Sequence, residues 1–253
     1  MNAPTAMLEL TTLEAILQMS AALVYLSVAV AAVGQAPRDT RTRVFLAFAI
    51  MSAVAFSIPV FAWALGVKDF LAMRRIPLAL MLIALAEGAL MLFHFSQVFP
   101  KRRAWIITSG IQLPVAYALI PAVVAGLTWA WPTVPTEATA AFAIAFLVFG
   151  FPLIVLLGVV LPASAIVSFL RSYRDAVTAP VNRDARPVLA AILLSQVAGG
   201  VLALVFAPVL ARVAPDSFAL TFVTITIWAL GLLTPIAYAA GVWKYHLLDI
   251  VAV

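Results

Sequence analysis

Cysteine is absent from the 253 residues, which excludes disulfides, thiolate metal centres, iron–sulfur clusters and a cysteine nucleophile. Charge is nearly as scarce. Asp, Glu, Lys and Arg make up 10% of the chain and hydrophobic residues 66%, against roughly 25% and 45–50% in ordinary globular domains. A soluble fold of this length could not find enough polar side chains to cover its surface. The shortage excludes a disordered chain, a nucleic-acid-binding domain and any sizeable soluble catalytic domain. It defines an integral membrane protein. Histidine occurs only as His94 and His246; His246 falls at or beyond the end of the last apolar run, so the paired axial ligands of a transmembrane haem are lacking. No HExxH, GxSxG or Gly-rich phosphate loop is present. A retinal protein needs a lysine midway along its seventh helix, where Leu230, Gly231 and Leu232 stand instead and Lys244 comes only at the end. Neither a cofactor nor an enzymatic activity is expected.

What the chain has is long apolar runs. About 20 apolar residues carry a helix across a hydrocarbon layer roughly 30 Å thick. Seven segments qualify, at 12–34, 43–66, 76–100, 104–130, 139–170, 187–211 and 217–243. The expected fold is therefore all-α, a single seven-transmembrane-helix bundle spanning residues 1–253. The longest connection, 171–186 (RSYRDAVTAPVNRDAR), is too short to fold alone. No internal repeat is visible, which weighs against inverted-repeat transporters. No Lys or Arg precedes the first span, so it lacks the basic flank of a cleaved signal peptide.

The cations then set an orientation. Arg38, Arg41, Arg43, Lys101, Arg102, Arg103, Arg171, Arg174, Arg183, Arg186 and Lys244 would lie on one side, and only Lys68, Arg74, Arg75 and Arg212 on the other. Lys and Arg are retained on the cytoplasmic face, so the N-terminus is expected outside and the C-terminus inside. The same asymmetry accounts for the net charge of +5 without a nucleic-acid partner. Asp39, Asp175 and Asp184 fall in charged connections and are read as solvated rather than catalytic.

Polar groups at membrane depth are costly, and each is a candidate for function. Glu87 lies near the centre of the third span, where a carboxylate must pair, meet water or stay protonated. His94 follows at i+7 on the same helical face, about 10 Å along the axis and out of its reach. Depth places His94, Gln112 and Gln196 together in the inner third of the membrane. If their faces converge they make a polar layer able to hold a ligand, a water or a proton; otherwise the two glutamines and the histidine are hydrogen-bonding glue between helices. Pro59, Pro114, Pro121, Pro152, Pro162, Pro208 and Pro235 fall within spans, and each removes a helical hydrogen bond and favours a kink.

Two stretches carry a resemblance. The third span ends Leu92-Phe93-His94-Phe95-Ser96-Gln97-Val98-Phe99-Pro100, followed by Lys101-Arg102-Arg103; the seventh leaves the membrane as Trp243-Lys244-Tyr245-His246-Leu247-Leu248-Asp249-Ile250. Together they resemble the N-terminal seven-helix sensor module of bacterial membrane signalling proteins, which precedes histidine kinase, diguanylate cyclase or serine phosphatase domains. In that family the third helix ends in a pattern like L-H-F-x-L-x-F-P and the last helix continues into K/R-Y-R-L-x-D-I. Here Gln97 replaces an apolar residue and His246 an arginine. The resemblance implies residence in the bacterial cytoplasmic (inner) membrane, no catalytic residue, and a relay through Lys244, Tyr245, His246 and Asp249. Ile250-Val251-Ala252-Val253 stands where an output domain would begin. It therefore implies either a fragment of a longer protein or a module separated from its cytoplasmic effector.

Three readings of function follow. The first is a membrane sensor that detects a membrane-borne or small lipophilic stimulus, with Glu87, His94, Gln112 and Gln196 as candidate ligand contacts. The second is a structural or accessory subunit of a large membrane complex. The third is a small transporter. Besides the lipid bilayer, the expected partners are further copies of the chain or other membrane subunits.

Overall fold

The computed structural model describes residues 12–65, 75–100, 112–130, 146–178, 184–214 and 217–243. All of its regular structure is helical, and no strand occurs among the described residues. In chain order the helices are α1 (Thr12–Gln35), α2 (Thr40–Ala64), α3 (Arg75–Val98) and α4 (Gln112–Ala130), followed by α5 (Phe146–Thr178), α6 (Ala185–Val213) and α7 (Phe218–Trp243). Six of them are long and apolar enough to cross a membrane, while α4 contributes a shorter apolar stretch, Pro114–Trp129. Large apolar side chains such as Leu23, Val159 and Leu204 stand exposed around the perimeter, which water would not tolerate on this scale and lipid does. The chain is an all-α, multi-pass membrane protein.

Six of the seven segments read from hydropathy coincide with helices long and apolar enough to cross a membrane, with one correction to their limits. Residues 171–178, expected in a connection, continue α5 as an amphipathic extension. Ala176 is buried and Tyr173 packs on the core, while Arg171, Arg174 and Asp175 face outward. Charged residues end a membrane span, but most of them are good helix formers. Residues 104–111 and 139–145, expected in the fourth and fifth spans, lie outside the described residues.

Helix α1 packs on α2, α2 on α3, α3 on α5, α5 on α6, α6 on α7, and α7 back on α1. Those six helices close a ring. Helix α4 packs against α3 and the first turn of α5, on the flank of the ring, with Val115, Leu119 and Trp129 exposed.

The main core lies toward one end, the end that carries Arg38, Arg41, Arg43, Arg171, Arg174 and Arg186 (called the basic end below). There Phe45, Phe95, Phe99, Phe169 and Tyr238 are fully buried. The Phe45 and Tyr238 ring centroids lie 4.0 Å apart, and Phe95 stacks on Phe99 at 5.1 Å. Each such pair contributes about 0.5–1.5 kcal/mol beyond the area it buries. The pattern at the end of α3 is thus a packing motif, with Phe95, Val98 and Phe99 entering the core.

The turn between α1 and α2 is tied into this end. Asp39 caps α2, its Oδ1 accepting the Arg41 backbone N–H at 2.7 Å. The Arg41 guanidinium reaches the same carboxylate, with Nη2 2.6 Å from Oδ2, and its Nη1 donates to the Pro100 carbonyl at 3.0 Å. Burial opposes ionisation of Asp39, but the Arg41 side chain and backbone outweigh it and hold the carboxyl below the usual carboxylate range. Asp39, expected to be solvated, is instead a structural partner.

Away from the basic end the bundle loosens. Helices α5 and α6 pack along 161–178 and 185–201, but their other halves share no extended contact. Those halves contain three π-helical turns, at Phe146–Gly150, Leu156–Val160 and Leu202–Phe206. Each begins six residues before a proline: Pro152, Pro162 and Pro208. A proline ring has no N–H and collides with the carbonyl four residues back. Widening the preceding turn relieves the collision, and accordingly Leu161 and Ala207 donate five residues back, to Leu156 and Leu202.

Candidate functional site

Glu87 lies midway along α3 and is 7% exposed. Its Oε1 has no hydrogen-bond partner. The same face of α3 presents Ile83, Leu90 and His94, and it packs into an apolar wedge between α3, α4 and α5 formed by Ala86, Leu90, Ile120, Val124 and Leu161. At the basic end of the wedge, His94 Nδ1 and the Tyr117 hydroxyl of α4 are 2.7 Å apart. Tyr117 packs on the wedge as well. A carboxyl, an imidazole and a phenol therefore line one seam between α3 and α4. Chemically the seam can hold a proton or accept a hydrogen-bond donor. No described Lys or Arg lies in it, since Arg38, Arg41, Arg43, Arg171, Arg174, Arg186 and Arg212 all stand at or near helix ends.

Gln196 belongs to a different polar cluster. Its Nε2 donates to Thr234 Oγ1 of α7 at 3.1 Å, and that hydroxyl donates to Ser195 Oγ at 3.0 Å. One turn away, the Tyr25 hydroxyl of α1 donates to the Gly231 carbonyl at 3.0 Å. These bonds join α1, α6 and α7, and Gly199 of α6 faces Leu230 of α7. His94 and Gln196 thus bond across different helix pairs.

Gln97 is buried and donates from Nε2 to Ser96 Oγ at 3.0 Å. Ser96 in turn offers its carbonyl to Ser168 of α5 at 2.9 Å. The Ser96 carbonyl therefore connects α3 to α5. The Gln112 side chain and residues Lys244, Tyr245, His246 and Asp249 lie outside the described residues. Among the described residues no group of three or more His, Cys, Asp and Glu side chains could hold a metal ion.

No protein-family model matches the chain, and neither curated proteins nor solved structures yield a match.

Sequence reasoning passed over Tyr117, Tyr25, Ser195 and Thr234. Pro235 did offer a signal. It leaves the Gly231 carbonyl without an intrahelical donor, so a hydroxyl on a neighbouring helix was needed.

Proposed function

We propose that the chain is a seven-helix membrane sensor module, with α4 as the seventh crossing, its N-terminus outside and its C-terminus in the cytoplasm of a bacterial cell. The observation that carries this reading is the buried Glu87 side chain, whose Oε1 has no hydrogen-bond partner, on the face of α3 that also presents His94 and its bond to Tyr117. Such a group is expensive unless its state is used. A stimulus that binds or protonates it alters the α3–α4–α5 seam and the ring to which α3 belongs, and it shifts output by its differential affinity for the two packings. The relay would leave through α7 toward Lys244, Tyr245, His246 and Asp249, to an effector attached or separate.

Because the chain lacks cysteine, single cysteines can be placed without background. Labelling with a membrane-impermeant maleimide in oriented vesicles should mark Cys at position 38 from the cytoplasmic side and at position 212 from the opposite side. The same label on both from one side would refute the topology. Glu87→Gln and His94→Ala should each alter the distance between spin labels at the ends of α3 and α7; if neither did, the sensing site would be wrong.

A second reading, a structural subunit of a larger membrane complex, is favoured by the separated halves of α5 and α6. Val148, Phe151, Val205 and Val209 there are exposed and would suit packing against another subunit as well as lipid. Purification in mild detergent separates the two. A subunit would come out in a much heavier assembly and lose stability when stripped of it.

A further inference from the structure

Helix α5 is longer than the membrane is thick. Its 33 residues, Phe146–Thr178, rise about 50 Å, against roughly 30 Å of hydrocarbon. Residues 146–170 carry no charged side chain, and the charges of α5 begin at Arg171, followed by Arg174 and Asp175. Around the axis the last turns divide into two sides. Ser168, Phe169 and Ala176 are buried and Tyr173 packs on the core, while Val167, Leu170, Arg171, Arg174 and Val177 are exposed. At 3.6 residues per turn, Arg171 and Arg174 stand about 60° apart around the helix and about 4.5 Å apart along it, one turn beyond Val167 and Leu170. That is the position from which an arginine lays its stem on apolar surface and its head in the polar layer.

Neither guanidinium has a hydrogen-bond or ion-pair partner among the described residues. Arg186 of α6 adds a third cation at the same helix end. Its Nε donates to the Ala176 carbonyl at 2.7 Å and its Nη2 to the Val177 carbonyl at 2.6 Å. These bonds fix the last turn of α5, and a guanidinium with five N–H donors keeps some to spare. Asp175, at the edge of the exposed side, offsets only one of the three charges. An arginine pair on adjacent turns suits a phosphate, because each planar fork donates two parallel N–H groups to its oxygens. The apolar strip of Ala163, Val167 and Leu170 running from the arginines toward mid-membrane is exposed as well. It matches the chains of a lipid, which a soluble anion would not use.

We propose that the outward side of α5 at the basic end is a binding site for an anionic phospholipid of that leaflet, its phosphate held by Arg171 and Arg174 and an acyl chain lying along Leu170, Val167 and Ala163. The bound head group fixes how far α5 projects from the membrane. The site does not rest on the sensor reading and serves a subunit equally.

The test measures equilibrium binding of radiolabelled dioleoyl phosphatidylglycerol to the full chain in dodecylmaltoside micelles, with dioleoyl phosphatidylcholine as the zwitterionic counterpart. Saturable binding is expected, poorly displaced by phosphatidylcholine and weakened by salt. Arg171→Gln and Arg174→Gln should each weaken it about fivefold. Replacing both by lysine should weaken it less, since the charge stays and the fork is lost. Arg38→Gln, an exposed cation at the same end, should leave it unchanged. Equal competition by phosphatidylcholine, binding indifferent to salt, or wild-type binding by the double glutamine variant overturns the proposal. An equal loss from Arg38→Gln also overturns it and leaves a diffuse field of the whole basic end. Displacement by soluble glycerol phosphate as readily as by the lipid overturns it in favour of a free anion. The salt and competition results come from the wild-type protein, so they decide the matter even where a variant folds poorly.

Discussion

The Tyr25 hydroxyl meets the Gly231 carbonyl, the one that Pro235 leaves without a helical donor. The two helices α1 and α7 are thus joined at the point where α7 is weakest. Tyr25→Phe should destabilise the bundle by about 1–2 kcal/mol, the cost of a buried acceptor left unpaired. In a Pro235→Ala background the N–H of residue 235 can reach Gly231, and Tyr25→Phe should cost less. A double-mutant cycle on unfolding in mixed detergent micelles measures this coupling. A coupling near zero would show that the two features are independent.

Tyr238 gives the opposite expectation. It is fully buried among Phe45, Phe95 and Phe99, yet its hydroxyl has no partner. Tyr238→Phe should leave the melting temperature unchanged or raise it, because an unpaired buried hydroxyl contributes only its desolvation cost. Tyr238→Ala should cost about 3–5 kcal/mol in lost packing. A clear drop for the Phe variant would mean that the hydroxyl is satisfied in the membrane.

Helix limits were legible in the sequence, and the facing of side chains was not. Hydrocarbon thickness turns composition into helix limits, so the ends of α1, α3 and α7 agree within a few residues with apolar runs. Thr178 could not be found that way, because the end of a helix beyond the membrane is set by Tyr173 and Ala176 packing inward. Glu87 was visible as a carboxylate at mid-span. Tyr117, the partner of His94, was not, since pairing across two helices depends on rotation about each axis, and a tyrosine in an apolar run carries no mark of its partner. Nor do the residues of Phe146–Gly150 or Leu202–Phe206 announce a π-turn. Only their constant distance from a following proline does.

The His94–Tyr117 bond predicts where the molecule opens first. It is a polar tie between α4 and α3, beside the apolar contacts that α4 makes with the wedge on one side. Tyr117→Phe should speed amide hydrogen exchange across 112–130 about fivefold to tenfold, equivalent to roughly 1 kcal/mol. Exchange in α1 and α2 should not change. Mass-spectrometric exchange by peptide reads both at once, and a uniform increase across the chain would show that α4 opens only with the whole bundle.

Asp39 makes stability depend on pH in a direction its environment fixes. Its carboxyl is held below the usual range in the folded chain by Arg41, so the folded state binds its proton less readily than the unfolded state does. The resulting stability is fully present above the unfolded pKa, about 3.9, and fades as pH falls through the lower folded value. Asp39→Asn keeps an acceptor for the cap bond to the Arg41 backbone and removes only the charge. It should destabilise the protein by about 1–3 kcal/mol near neutral pH, since Arg41 is buried and loses its countercharge. Melting curves of the two proteins should converge only in strong acid, below the unfolded value. Arg41→Lys retains the charge but loses the fork that reaches Asp39 and the Pro100 carbonyl together. It should fall between the other two, and a gap between Asp39→Asn and wild type that stays constant through acid pH would remove the charge from this account.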